Sequence, residues 1–339
     1  MTVLVGTHER YLDHRAGQHH PEDPHRLAAA LAGVARAEAG AGIDVARFTP
    51  RPAAREELVA VHPPAYLDRL ESFCRTGGGH IDADTAAVPE SWDAAVLAAG
   101  AGPDAVERLR AGEGAAAFLA VRPPGHHATS NVAMGFCLLN NIAVTAMALA
   151  DSGERVLIVD WDAHHGNGTQ DVFFSDARVA FVSMHQWPLY PGTGRAEETG
   201  AGAGAGLTVN LPLPARTPGD VYRAALERVV APLAESFAPT WVLLSAGFDS
   251  HRADPLASLG LSAGDYVDLT RRVVELVPAG RRIAFLEGGY DLEALELSTA
   301  ACVAALGGAD LRPETVTTGD RGMEVVEASE SRLARMNRS

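Results

Sequence analysis

Asp162 and His164 stand two residues apart in VLIVDWDAHHGNGTQ (156–170), just after the apolar run Val156 to Asp160. Asp and His crowded together cost free energy unless they bind a proton, a metal or each other. In a continuing strand, positions i and i+2 point to one side, so both side chains could face one ion. A mixed His/carboxylate set suits zinc or another divalent transition metal. A catalytic zinc needs a third protein ligand and an open position. Asp249, in SAGFDS, is the best third candidate. His126 and His127 are adjacent behind the rigid RPPG. Near neutral pH, imidazole can take a proton from a metal-bound water and return it to a leaving group. Tyr290 follows EGG, and its hydroxyl can donate to a developing oxyanion from a loop that the glycines leave free to place it. Each feature alone has an ordinary reading: a hydrogen-bonded loop pair, a surface His pair, a tyrosine capping the core with its OH in water.

The elements that must carry these residues are short apolar runs. They are TVLVGT (2–7), AAFLAV (116–121), RVLIVD (155–160), RVAFVSM (178–184), LTVNLPL (207–213), WVLLSAG (241–247) and RIAFLEGG (282–289). Most are continuous rather than alternating, as in strands of a parallel sheet buried on both faces. Helix-like segments lie between them at 26–39, 91–112, 140–152, 218–237 and 263–277. The alternation predicts one α/β unit with a mainly parallel sheet. The polar clusters RPPGHHA, DWDAHHGNG, HQW, GFDSH and EGGY each follow a strand run. In an open parallel sheet the C-terminal strand ends line the ligand crevice, so the five clusters are expected to form one site. Glu287 and its glycines favour a loop at that crevice.

The 339 residues are read as a single catalytic domain over 1–310, followed by a polar tail or short helix over 311–339. The net charge of −15 argues against direct nucleic-acid binding and favours cationic ligands. The chain holds no lysine; all 28 basic residues are arginine. Cys74, Cys137 and Cys302 are widely spaced and odd in number, which argues against a disulfide framework or a CxxC zinc site. No apolar run is long enough to span a bilayer, and the start lacks a basic secretory leader. A cytoplasmic location without membrane attachment is expected, and a homo-oligomer is left open.

The strings RPPGHHA, GFCLLNN, VDWDAHHGNGTQ, SAGFD with DPL after it, and EGGY resemble the histone deacetylase and acetylpolyamine amidohydrolase superfamily. The match runs from HPEDPHRL (20–27) to the region of Cys302, and DWDAHHGNGTQ is most like class II deacetylases and their bacterial relatives. The resemblance implies a three-layer arginase/deacetylase-like α/β fold and one catalytic Zn2+ on Asp162, His164 and Asp249. A zinc-bound water would attack the acetamide carbonyl, with His127 as main general base and acid. His126 would sit beside it, tuned by Asp160, and Asn167 falls where class I members carry an Asp. Tyr290 would stabilise the oxyanion. Phe136 and Tyr190 fall at the walls of an acyl-lysine tunnel and Gly135 at its floor; Tyr190 stands where the family usually has Phe. Asp84, in HIDADT, is the candidate rim residue. A structural K+ or Na+ would take Asp160, Asp162, His164, Ser183 and Met184, and a second one Phe173, Asp176 and Val179.

Arginase-type ureohydrolases share such a fold but hold two manganese ions through DxHxD and DxD. Gly166 replaces one of those carboxylates and His251 the other. His251 is expected to be a rim residue or a weak extra ligand. Leu256 stands where a polyamine-selective relative carries Glu, which favours ε-N-acyl-lysine in proteins or peptides over acetylpolyamines or another small acetamide. A non-catalytic scaffold would have lost part of this set, and none is lost.

Overall fold

Every residue of RVLIVD, WVLLSA and RIAFL beyond the first arginine of RVLIVD is buried, and these runs form the middle of the sheet. In the computed structural model, which describes residues 1–336, the strands are β1 (Thr2–Gly6), β2 (Asp44–Phe48), β3 (Gly79–His80), β4 (Ala86–Ala87), β5 (Ala116–Leu119), β6 (Val156–Asp160), β7 (Val179–Gln186), β8 (Thr208–Leu213), β9 (Trp241–Ala246) and β10 (Arg282–Leu286). Eight of them form one sheet in the order β2-β1-β5-β10-β9-β6-β7-β8, with every pairing parallel. β3 and β4 make a separate two-stranded antiparallel ribbon.

Helices pack in two groups. His25–Ala41, Leu292–Leu306 and Ala263–Val274 pack together, and Ser91–Arg110 packs on Asn141–Asp151. The helix Met323–Met336 lies against β8, the last strand at one edge of the sheet, and covers an edge that would otherwise invite pairing.

All seven expected strands are present, most with trimmed ends and β7 extended to Gln186. β2 was not anticipated, because DVARF is an outer strand with two charges and no fully buried residue. The helix Leu292–Leu306 was missed for the opposite reason. It is buried nearly all round, so it shows no 3.6-residue apolar stripe. The helices Pro64–Arg75 and Asn167–Phe173 were also missed.

The loops after β5, β6, β9 and β10 gather at one edge of the sheet, as the crevice rule requires. HQW departs from that expectation. β7 runs on through Gln186, so His185 is a buried strand residue bonded to Ser183 Oγ at 2.9 Å and to the Gly194 carbonyl at 3.0 Å.

HPEDPHRL braces these loops from beneath. Arg122 Nε and Nη2 donate to the two Glu22 carboxylate oxygens at 2.5 and 2.6 Å. Burial alone would lift the Glu22 pKa, but Arg122 holds it down at about 2. Arg26 donates to Glu22 at 3.1 Å, to the Gly289 carbonyl at 2.7 Å and to the Glu287 carbonyl at 2.5 Å.

Candidate active site

Asp160 ends β6, and the chain then leaves the strand. Asp162 and His164 therefore sit in a loop rather than on one face of a continuing strand. Their convergence comes from side chains that fold the loop back on itself. Asp160 Oδ1 accepts from the Asp162 amide at 3.0 Å, and Asp162 Oδ1 accepts from the His164 amide at 2.9 Å. Asp249, after β9, accepts from the Ala163 amide at 2.7 Å. The ligand atoms of Asp162, His164 and Asp249 all lie within 4.8 Å of one another. His164 Nδ1 is 2.9 Å from Asp249 Oδ2 and 3.2 Å from Asp162 Oδ1.

This donor set fits a divalent cation. Burial, then the Asp162 carboxylate, push the Asp249 pKa up to about 7. The ionic partners of the two carboxylates among the described residues are histidines, with no arginine. Two acids buried side by side repel each other, and a bound dication turns that repulsion into attraction. The neighbours leave space only for bare backbone. A Cβ on Gly247 would lie 2.0 Å from Asp162 Oδ2, and one on Gly288 would lie 2.2 Å from Asp249 Oδ2. The first glycine of EGGY thus serves close approach to the carboxylates. Freedom of the backbone matters at the second, Gly289, whose φ is +121°. Position 166 has no room for the carboxylate of the arginase pattern, because a Cβ there would lie 2.3 Å from Asp160 Oδ2.

The rings of His126 and His127 are 4.0 Å apart but meet different partners. His126 Nδ1 is 2.9 Å from Asp160 Oδ2. Burial opposes charge on His126, yet Asp162 and Asp160 overcome it and raise its pKa well above the usual histidine value. His127 Nδ1 donates to Asn167 Oδ1 at 2.8 Å, while Asn167 Nδ2 donates back to the His127 carbonyl at 3.4 Å. Burial, then the positive His126, hold the His127 pKa well below the usual value. The neutral ring carries its proton on Nδ1 and keeps a bare Nε2.

His127 and His164 open into a cavity of about 240 Å³ that is also lined by Asp84, Gly135, Phe136, Leu189, Tyr190, Leu256 and Tyr290. The five residues expected in the tunnel are therefore together, and Leu189 is an addition. Tyr190 stands edge-on to His127, ring centres 5.3 Å apart, and Phe136 edge-on to Tyr290 at 5.8 Å. A Cβ on Gly135 would lie 2.4 Å from His127 Cδ2. Asp84 comes from the ribbon between β3 and β4, where its carbonyl accepts from His20 Nε2 at 2.9 Å. Tyr290 is held through its amide, which donates to Asp254 Oδ2 at 2.7 Å. Asp254 Oδ1 accepts from the Leu256 amide at 2.9 Å. Burial raises the Tyr290 hydroxyl pKa well above its usual value, so it stays a donor.

Of the residues matched to cation sites, Asp160 and Ser183 are register partners across β6 and β7, with Met184 next in line and all buried. Phe173, Asp176 and Val179 span the connection from the helix Asn167–Phe173 into β7. Arg178 occupies the Asp176 carboxylate at 2.6–2.9 Å, which leaves main-chain carbonyls there for an ion. His251 is a correction. It is buried, its Nε2 is 2.7 Å from Glu314 Oε2, and it does not line the cavity, so it is neither rim nor extra ligand. Sequence reasoning did not single out Leu189 or Asp254. The only available signal for Asp254 was its place in DPL after the Asp249 motif.

A family model described as the histone deacetylase domain matches residues 20–306. A probable deacetylase of Archaeoglobus fulgidus is 41 % identical over 316 residues, covering 92 % of this chain and 88 % of the relative. A histone deacetylase-like amidohydrolase of Pseudomonas aeruginosa is 36 % identical, covering 80 % and 78 %. The crystal structure of the HDA15 HD domain superposes with a TM-score of 0.90 at 36 % identity, over 98 % of this chain and 96 % of that one. A sheet of eight parallel strands, loops converging on a buried Asp/His/Asp cluster and likeness along almost the whole chain agree: this protein belongs to the histone deacetylase family of amidohydrolases.

Proposed function

We propose that the protein is a zinc-dependent deacylase that removes acetyl or other acyl groups from ε-N-acyl-lysine in proteins or peptides. The observation that carries this reading is the single narrow cavity shared by His127, His164 and Tyr290. Zinc held by Asp162, His164 and Asp249 would supply Lewis acidity to the scissile carbonyl and the attacking water. The other steps belong to this chain's own side chains. Phe136, Tyr190 and Leu256 hold the acyl-lysine stem and exclude water from it. His127, neutral with a bare Nε2, takes the proton from the water as it attacks. Asn167 keeps that tautomer in place. The Tyr290 hydroxyl donates to the oxygen on which negative charge develops. His127 then returns its proton to the departing amine, which leaves as lysine. His126, held charged by Asp162 and Asp160, adds fixed positive charge beside the reacting atoms. We also assign a structural K+ or Na+ to the carbonyls around Ser183 and Met184.

A paired turnover assay of zinc-loaded protein tests this, on an acetyl-lysine peptide and on N-acetylputrescine. The peptide should be preferred by at least about tenfold in kcat/KM. Tyr290→Phe should lower peptide turnover by about 10²–10³-fold, as loss of an oxyanion donor does. Dipicolinate should abolish activity and added zinc restore it. The rival reading, an acetylpolyamine hydrolase, has the charge of −15 and the acidic Asp84 at the cavity in its favour. Preference for N-acetylputrescine would establish it instead.

A further inference from the structure

Glu287 carries a carboxylate that the proposed chemistry leaves unused. It follows β10 directly and is fully buried. Its Oε2 accepts from two successive amides, Gly125 at 2.7 Å and His126 at 3.2 Å. Its Oε1 has no hydrogen-bond partner among the described residues. Arg26, nearby, is spent on the Glu287 and Gly289 carbonyls and on Glu22, and among the described residues no arginine pairs with the Glu287 carboxylate. Burial lifts its pKa to about 7, against the pull of charged His126. A buried acid without a counterion lowers stability relative to an apolar side chain of the same size. Stability alone therefore does not account for it.

Its bonds connect two loops that must agree on distance. The turn Arg122–His127 has anchors to the scaffold. Arg122 is clamped by Glu22, and Asn141 Nδ2 donates to the Pro123 carbonyl at 3.0 Å. Gly125 is pressed so close that a Cβ there would lie 2.5 Å from the Asn141 amide. Among the described residues, the hydrogen bonds that join this turn directly to the loop carrying Tyr290 are those of the Glu287 carboxylate. Along that loop the bonds come in succession. Glu287 holds the histidine turn, the Gly288 amide donates to Asp162 Oδ2 at 2.8 Å, and the Tyr290 amide donates to Asp254. His127 and Tyr290 both face the same cavity, where a misplacement of about 1 Å can lower the rate by about a hundredfold.

We propose that Glu287 is a positioning residue, whose carboxylate sets the separation between His127 and Tyr290 by fastening the histidine turn to the tyrosine loop. The inference rests on the deacylase reading. Two variants test it in zinc-loaded protein with the acetyl-lysine peptide. Glu287→Gln keeps an oxygen that can accept from both amides. Glu287→Leu has similar size and no acceptor. The Gln variant should keep kcat within about threefold of the parent. The Leu variant should lose kcat by about 10–100-fold while KM stays within about twofold and zinc content is unchanged. In protein labelled with 15N-histidine, imidazole signals of His126 and His127 should move in the Leu variant and stay in the Gln variant. A Leu variant with parental kcat and unmoved signals overturns the proposal, and so do Gln and Leu variants that fall alike. If the Leu variant does not fold, Glu287→Asp, one carbon shorter, replaces it under the same criteria. A parent inactive on the peptide defeats the deacylase reading instead, and the imidazole signals still decide the positioning.

Discussion

Of the three His–His pairs in the chain, two follow strands of the sheet, and they are used in opposite order. In 126–127, after β5, the second imidazole opens to the cavity and the first turns away. In 164–165, after β6, the first opens to the cavity and the second turns away. The two rear histidines also differ. His126 meets carboxylates and is held charged. His165 Nδ1 is 2.8 Å from Thr193 Oγ1 and its Nε2 is 3.0 Å from Gln170 Oε1, and burial pulls its pKa down to about 4. One dipeptide thus yields a proton acceptor, a fixed cation, a candidate metal ligand and a neutral brace. What decides among them is the partner each ring nitrogen meets, and those partners come from distant loops. The brace supports the cavity at one remove. Gln170 Nε2 donates to Glu198 at 2.6 Å, and Glu198 accepts from the Gly194 amide at 3.3 Å, fastening the loop that carries Leu189 and Tyr190.

If the two forward histidines differ as argued, their loss should differ in kind. His164→Ala should remove both zinc and turnover, read by metal analysis and the peptide assay. A variant that keeps stoichiometric zinc would remove His164 from the ligand set. His127→Ala should keep zinc and lose about 10²–10⁴-fold in kcat, the span of general acid–base catalysis. Asp160→Asn takes the nearest carboxylate from His126 and should lower kcat by about 10–100-fold, as loss of a partner to a site residue does. A variant with parental kcat would show that the charge on His126 is idle.

A histidine outside both pairs tests the rule for neutral surroundings. His62 Nδ1 donates to the Ser130 carbonyl at 3.0 Å and its Nε2 accepts from the Asn140 amide at 3.0 Å, so protonation would set two donors against each other. Burial lowers its pKa to about 4. Between about pH 4 and 6.5 the unfolded chain then binds the extra proton, so stability rises with pH across that window. The contribution is complete above about pH 6.5 and is lost on acidification, by about 3 kcal/mol in full. Urea unfolding of the parent and His62→Gln at several pH values measures it. Equal slopes in that window would refute the assignment. The smallest effect is expected at the neutral brace. His165→Ala should cost about 1–3 kcal/mol of stability by stranding buried polar partners. It should raise KM for the peptide a few-fold with kcat nearly kept, since Tyr190 loosens while His127 does not move. A large fall in kcat would place His165 in the chemistry.

Much of this was legible in the residues. The candidate ligands, the tandem histidines, Tyr290 and the tunnel residues were named from motifs, and they share one cavity or its immediate wall. The motif pattern misled where a residue beside a site motif turned out to face elsewhere. His251 follows the Asp249 motif by two residues, yet it points to Glu314. HQW resembled the other strand-end clusters, yet His185 lies within β7 and is bonded to Ser183 and the Gly194 carbonyl. The strand-spacing argument for Asp162 and His164 reached the right residues by the wrong route, because loop hydrogen bonds bring them together.

By itself the sequence determined what is local: buried runs that must pair as parallel strands, glycine-bearing loops at their ends, and the kinds of chemical group waiting at each strand end. Only the tertiary structure decided which histidine of each pair faces the cavity, which acids stay charged, and that Glu287 and Asp254 hold backbone rather than ligand. The reason is physical. Burial and Coulomb interactions act through space, and here they couple residues as far apart in the chain as Gly125 and Glu287, or Asp162 and Gly288.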